Sequence, residues 1–559
     1  MATANKVADA TTEEEDTRAG GEGNETVPVV LQGEEPGACR TSSMLVASDS
    51  FVDLELCVEE ANGRGNVSDA SSEAEVFRDR VPSGPIEEIT RLDGLTVSND
   101  VQPSTECSNG TTPSAEVTTE DSGSEQPVTE KVTLVRTPSL EEEEPDYTHS
   151  AEWRAHRKHV FILSSAGKPI YSRYGDEDRI VTMVGLMQAL VSVIQSRQDS
   201  LRCIVVGQHK FVFLVREHLI LVGVVSSHES CQQMLLQLNY VYSQLLSVLT
   251  YSQLVRIFKH RRNYDLRRML TGAEKFFSNL LDLMDYDPSF LLGAVRCLPL
   301  DTAVRDVVAQ SIAQHAKVKD LVFAILIAEG QLITLVRMKK YFLHPHDLHL
   351  IFNLVGASES FKSAESWTPI CLPRFDSSGY LHAHISYLDE HCRTCLLLLS
   401  VDRDVFFTLS DCKHKIEQRL RKYNCLKAIS KAIDTEMTYC VSDTDITELR
   451  HFLYKSKSTA QFTCPEYEAP YSGASERAHI FGLYQFMHQR LHSAARPLKI
   501  LYYVGAKEAL LGWTTSGFEL YAVFGPLVTK NTAINSVNKL LKWIKKEEDR
   551  LFILNSPTF

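Results

Sequence analysis

His159-Val160-Phe161-Ile162-Leu163-Ser164, then Ala166-Gly167-Lys168-Pro169, then Ile170-Tyr171-Ser172-Arg173, is the stretch that decides the fold. Strands are predicted at 159–164 and 169–173. Between them glycine supplies a positive φ and proline cannot sit mid-sheet, so the two close a hairpin. Gly175-Asp176-Glu177-Asp178 then places acids at a helix start, where the dipole favours them. The helix predicted over 179–197 carries two apolar stripes at helical spacing. One is Ile180, Val184, Met187, Val191 and Ile194; the other is Met183, Leu186, Leu190 and Val193. Together they span about half the cylinder, wider than the ~100° band that a helix lying on one sheet needs. Either later parts of the chain cover the second stripe, or another polypeptide does; Met-rich surplus apolar faces suit partner surfaces.

Strands follow at 201–206, 211–216 and 219–225, then a helix at 230–249 with Cys231, Leu235, Leu238, Tyr242, Leu245 and Leu249 on one face. The sum is an antiparallel sheet between helices, an α/β sandwich of the α+β kind. The same order recurs. Strands at 321–327 and 332–336 bracket Ala328-Glu329-Gly330-Gln331, followed by a helix at 345–355, strands at 367–372, 379–388 and 395–401, and a helix at 405–423. A third copy ends with strands 498–504, 508–514 and 518–524 and a helix at 529–548; its front half is thinner, a strand at 459–463 and a helix at 475–493. Internal repetition is the strongest fold signal a single sequence offers. It divides the chain into 1–150, a first domain 151–250, a helical connector 251–317, a second domain 318–435 and a third 436–559.

Residues 1–150 hold 33 acidic and 9 basic side chains, and the other 409 residues hold 39 and 49. The head, rich in Glu, Ser, Thr, Gly and Pro, reads as a disordered acidic regulatory tail, since it cannot bury enough apolar area to offset its ordering entropy. Thr137, before a proline, and Ser139, before Glu141-Glu142-Glu143-Glu144, are phosphorylation candidates. The body is mildly basic. Arg261 and Arg262 in the connector, and Lys539, Lys542 and Lys546 near the C-terminus, form basic patches that read as solvated faces or as contacts to anionic lipid. Thirteen scattered cysteines point to a reducing compartment. Without an apolar leader or a run of ~18 apolar residues, a soluble cytoplasmic chain is expected.

Catalytic chemistry finds little support. Cys392-Arg393-Thr394-Cys395 with His382, His384 and His391 is half a zinc site, because its second ligand pair would have to come from a strand. His344, His346 and His349 read as caps or surface residues at a helix start. No P-loop, nucleophile elbow or His-Glu-x-x-His pattern is present. A binding and assembly protein is expected, without cofactor, metal or covalent chemistry.

Several long motifs carry a resemblance. They are His159-Val160-Phe161 through Tyr174-Gly175, Asn263-Tyr264-Asp265-Leu266-Arg267-Arg268, Arg296-Cys297-Leu298-Pro299-Leu300, Leu449-Arg450-His451-Phe452-Leu453-Tyr454-Lys455, and Lys545-Lys546-Glu547-Glu548-Asp549-Arg550-Leu551-Phe552-Ile553. From about residue 152 onward the chain resembles the Mon-one family of vacuolar and late-endosomal fusion proteins. The resemblance implies three longin domains and a heterodimer with a Ccz-one-type longin protein, paired through the first domains. It further implies guanine-nucleotide exchange on a Rab seven-type GTPase and recruitment by a Rab five-type GTPase. An accessory third subunit and phosphatidylinositol 3-phosphate membranes of endosomes and lysosomes complete the implied partners; nucleic acid is not among them. A longin-fold tethering or coat adaptor, which binds a GTPase without exchange activity, is the competing reading. The residues expected to meet partners are Arg173, Tyr174, Met183, Leu186, Leu190 and Val193, with Trp367 as an exposed aromatic for the Rab five-type protein.

Overall fold

The computed structural model describes residues 151–559 apart from 176–179, 228, 262 and 435–437. The acidic head with Thr137 and Ser139, the acids Asp176, Glu177 and Asp178, and Arg262 therefore lie outside the described residues. Among the described residues no helix is long and apolar enough to cross a membrane.

The first domain runs α1 (Ala151–Ala155), β1 (Lys158–Ser164), β2 (Pro169–Ser172), α2 (Val181–Gln195), β3 (Cys203–Val206), β4 (His209–Val215), β5 (Leu219–Val225) and α3 (Cys231–Leu249). Its sheet is antiparallel in the order β2-β1-β5-β4-β3. Period-two alternation sends Val160 and Ile162 to the side covered by α3, and Phe161 and Leu163 to the side covered by α2. Gly167 takes φ +79° in the hairpin turn as expected. Gly223 has a different role: a Cβ there would fall 2.3 Å from Met234 Cε, so glycine lets α3 lie close on the sheet. Helix α3 starts from a reciprocal capping box, in which the Ser230 hydroxyl accepts from Gln233 N and the Gln233 amide oxygen accepts from Ser230 N.

The connector comprises α4 (Tyr251–His260), α5 (Arg267–Leu270), α6 (Glu274–Tyr286), α7 (Pro288–Leu292), β6 (Val295–Arg296) and α8 (Thr302–His315). It is not an independent layer. Leu254, Phe258, Phe277 and Leu281 extend the first domain's core, while Val308 and Ile312 of α8 join the second domain's. Nor is it purely helical, because β6 leaves it to pair in parallel with the third sheet.

The second domain contains β7 (Leu321–Ala328), β8 (Gln331–Arg337), α9 (Pro345–Gly356), β9 (Ser366–Leu372), β10 (Asp376–Tyr387), β11 (Thr394–Ser400), α10 (Phe406–Lys422) and α11 (Cys425–Ile433). Its order, β8-β7-β11-β10-β9, repeats the first sheet strand for strand. The third contains β12 (Leu449–Ser456), β13 (Gln461–Thr463), α12 (Ala474–Leu491), β14 (Ile500–Val504), β15 (Ala509–Thr514), β16 (Phe518–Phe524), α13 (Lys530–Lys546) and α14 (Glu548–Leu551). Here five strands become six, in the order β14-β15-β16-β12-β13-β6. Sequence reading missed β12, the strand that joins the two halves of this sheet. Its His451 is fully buried, with its ring nitrogens on Tyr484 Oη at 2.6 Å and on the Pro465 carbonyl at 3.2 Å, so a core position is held by a polar residue.

Candidate interaction surface on the first domain

Helix α2 presses Val184, Met187 and Val191 onto the sheet, and Met183 packs at the margin of the same core. Its outward side stays in solvent. Leu186 is 63% exposed, Val193 54%, Val181 50% and Leu190 40%. Between them lie Thr182, Gly185, Ala189 and Ser192, also exposed. The whole of Val181–Gln195 contains no charged residue. A solvent-facing helix surface ordinarily carries Lys, Arg, Glu or Asp, and a contiguous apolar one marks a contact site. Each of these large side chains, with roughly half its area in water, offers on the order of 1 kcal/mol when covered. On the edge strand β3, Val205 and Val206 are also mostly exposed. Sequence reading had not singled out Val181, Val205 or Val206, although two adjacent valines on a strand must point to opposite faces, and an edge strand cannot bury both by sheet pairing alone.

Arg173 and Tyr174 are placed differently from the expectation. The Arg173 side chain is only 5% exposed and donates to Asp282 at 2.8 Å and Asp285 at 2.7 Å on α6. Asp285 also takes Lys158 Nζ at 2.7 Å, and the same ammonium reaches Glu229 at 2.9 Å and the Gln237 amide oxygen at 3.0 Å. Burial alone would lower the Lys158 pKa, but Glu229 and Asp285 outweigh it and hold the group above its ordinary value. Burial would raise Asp285, yet Lys158 and Arg173 hold its carboxyl below the usual range. These charges are mutually committed, so Arg173 fastens β2 to the connector and is not a free contact residue. Tyr174 stacks on His156 with ring centres 3.6 Å apart.

Trp367 is half-buried beside the second domain's core, stacks on His382 and donates its indole N–H to the Arg403 carbonyl at 3.1 Å. The exposed aromatic nearby is Phe407, 81% in solvent, which the sequence did not flag. Of the basic patches, Arg261 is exposed, and Lys539, Lys542 and Lys546 are exposed along one face of α13. The half zinc site is dispersed: Cys392 donates to the Lys362 carbonyl, His384 Nε2 lies 3.0 Å from the Glu365 carboxylate, and Cys395 is buried in β11. His344 does cap α9, but His346 and His349 are buried rather than superficial.

Among the described residues His488, His492 and Glu519 gather within reach of one metal ion. The hydrogen bonds argue against ligation. Gln233, its oxygen held by Ser230 N, donates to His488 Nδ1 at 3.0 Å. The other ring nitrogen then carries the proton and offers no lone pair. Glu519 is also engaged, lying 3.6 Å from Lys455 and 3.4 Å from Lys457.

Three family profiles cover the folded repeats: the first longin domain of FUZ, MON1 and HPS1 matches 158–280, the second 319–418 and the third 448–548. The chain is 46% identical over 539 residues to vacuolar fusion protein MON1 homolog A of Gallus gallus, covering 95% of this chain and 94% of the relative. It is 46% identical over 540 residues to the human protein of that name, covering 95% and 80%. To human MON1 homolog B it is 42% identical over 427 residues, covering 73% and 78%. With three longin domains in the same order and near-full-length identity to these relatives, the chain belongs to the MON1 family of vacuolar fusion proteins.

Proposed function

We propose that this chain is one subunit of a heterodimeric guanine-nucleotide exchange factor. Its partner is a Ccz-one-type longin protein, and its substrate is the late-endosomal Rab seven GTPase. The pair drives Rab five to Rab seven conversion ahead of endosome–lysosome fusion, in keeping with the vacuolar fusion named in its relatives. The observation that carries this reading is the uncharged outward half of α2, apolar where a solvated helix would be charged.

Exchange requires no acid, base or nucleophile. A small GTPase holds its nucleotide with about 12–16 kcal/mol, corresponding to nanomolar to picomolar binding. A factor that binds the nucleotide-free form better lowers that affinity by displacing the loop that coordinates magnesium. Reciprocity makes nucleotide weaken the factor's own grip by the same ratio. The role of α2 is to seat the partner chain, so that the joint edge of the two first domains meets the GTPase. The lysine face of α13 and Arg261 supply attraction to membranes rich in anionic phosphoinositide, each charge near the surface contributing about 1 kcal/mol.

Stopped-flow release of a fluorescent guanine nucleotide from the Rab seven GTPase tests the proposal. Release accelerates when both longin proteins are present and returns to the intrinsic rate when Leu186→Asp and Leu190→Asp are combined. Binding of the GTPase with unaltered release would leave the tethering or coat adaptor as the reading.

A further inference from the structure

Cys203 opens the edge strand β3, and Cys231 is the first residue of α3. Both are half-buried free thiols, and their sulfurs stand 2.7 Å apart. Cys297, Cys371, Cys392 and Cys425 instead hydrogen-bond to oxygen acceptors. A disulfide bond is ~2.05 Å long. The gap left to close is therefore about 0.7 Å, comparable with the ~0.5 Å per-axis displacements of ordered side chains. We propose that Cys203 and Cys231 are a redox-active dithiol that closes to an intramolecular disulfide, clamping the edge strand of the first domain to the start of α3.

The two sulfurs have distinct parts. Burial, and then the hydrogen bond to Cys231, push the Cys203 thiol up to about 12, so Cys203 is a thiol that keeps its proton. Cys231, the first residue of the capped 19-residue helix α3, is the attacking sulfur. The oxidant is a low-molecular-weight disulfide of the oxidised-glutathione class. Cys231 thiolate attacks one of its sulfurs, forming a mixed disulfide and releasing one glutathione thiolate. Cys203 then gives its proton to solvent and attacks the Cys231 sulfur, releasing the second glutathione thiolate. Two protein thiols lose two electrons and two protons, and one glutathione disulfide becomes two thiols.

Cys203 packs beneath α3, whereas its neighbour Ile204 packs on the side of α2. A bond at Cys203 therefore tethers a strand of four residues, paired on one side only, whose next residue packs in the core beneath α2. Formation of the bond does not depend on the role given to α2; only its consequence for partner docking rests on that reading. The two are measured separately.

Full-length protein equilibrated in glutathione buffers of stepped ratio, acid-quenched, alkylated and digested without reductant provides the test. The expected product is one peptide pair joined through Cys203 and Cys231, lighter by two hydrogens than the separate thiols. It disappears with dithiothreitol and is absent from Cys203→Ser and Cys231→Ser. Wild-type mapping stands alone if either variant fails to fold. Both cysteines remaining alkylated, or carrying separate glutathione adducts, in pure oxidised glutathione overturns the proposal, as does bonding of either to a different cysteine. A joined pair with partner affinity unaltered between oxidised and reduced protein retains the dithiol and removes only its link to docking.

Discussion

Helices α2 and α9 occupy the same position in two copies of one fold, each following the first hairpin and lying on one face of its sheet. Their surroundings are opposite. Pro345 to Ile351, Asn353 and Val355 of α9 are buried, with Leu348, Ile351 and Val355 on its own sheet and His349 and Asn353 under α3 and α6. The closure is largely polar. The Tyr240 hydroxyl donates to His349 Nδ1 at 2.9 Å, while His349 Nε2 donates to the Ala294 carbonyl at 3.0 Å. Asn353 donates to Gln244 and to the Phe276 carbonyl at 2.8 and 2.9 Å, and accepts from Asn279 at 2.8 Å. Helix α2 leaves Leu186, Leu190 and Val193 in water. The chain thus supplies its own cover for the second domain's helix and leaves the first domain's open to solvent.

Truncating a buried residue of α9 and an exposed one of α2 gives the largest contrast. Ile351→Ala, at a fully buried site, is expected to cost about 2–5 kcal/mol in denaturant unfolding. Leu186→Ala is expected to change the same measurement by less than about 0.5 kcal/mol. Equal losses would mean that the two helices are equally enclosed.

Acidity sharpens the contrast at α9. Burial depresses His349 to about 4, so the unfolded chain takes up a proton before the folded one does. The stabilisation is present above about pH 6.5 and is lost as pH falls towards 4, amounting to on the order of 3 kcal/mol. In urea titrations at stepped pH, His349→Gln should flatten the profile by that amount across the window, with no change in slope above pH 7.

Arg173→Ala distinguishes a fastening residue from a contact residue. Loss of its charged hydrogen bonds should lower unfolding stability by about 1.5–3 kcal/mol in the chain alone. A variant with native stability and impaired docking would return Arg173 to the partner surface. The smallest effect on folding belongs to α13: reversing Lys539, Lys542 and Lys546 should leave stability within about 0.5 kcal/mol. Adsorption to vesicles containing phosphatidylinositol 3-phosphate should weaken by about 1 kcal/mol or more per lysine.

The three-fold repetition was legible because hairpin, helix, strands and helix each carry their own periodicity. The excess of α2 was also legible, since a stripe too wide for one sheet is a property of local spacing. Other features were hidden by distance along the chain. Arg173 reads as a surface arginine until Asp282 and Asp285, more than a hundred residues away, arrive beside it. Strand β12 was obscured by buried His451, and the two-residue β6 has no pattern to read and exists only because the third sheet accepts it. Cys203 and Cys231 sit in separate elements, and only the packing of α3 on the sheet brings their sulfurs together.

Affinity of the full-length chain for a Ccz-one-type longin protein, measured by titration calorimetry for wild type and for Leu186→Asp with Leu190→Asp, probes the uncovered helix most directly. Two central apolar anchors replaced by carboxylates should weaken association at least about a hundredfold while the chain keeps its native melting temperature. Association of equal strength in the doubly substituted chain would show that the open face of α2 is not where the partner sits.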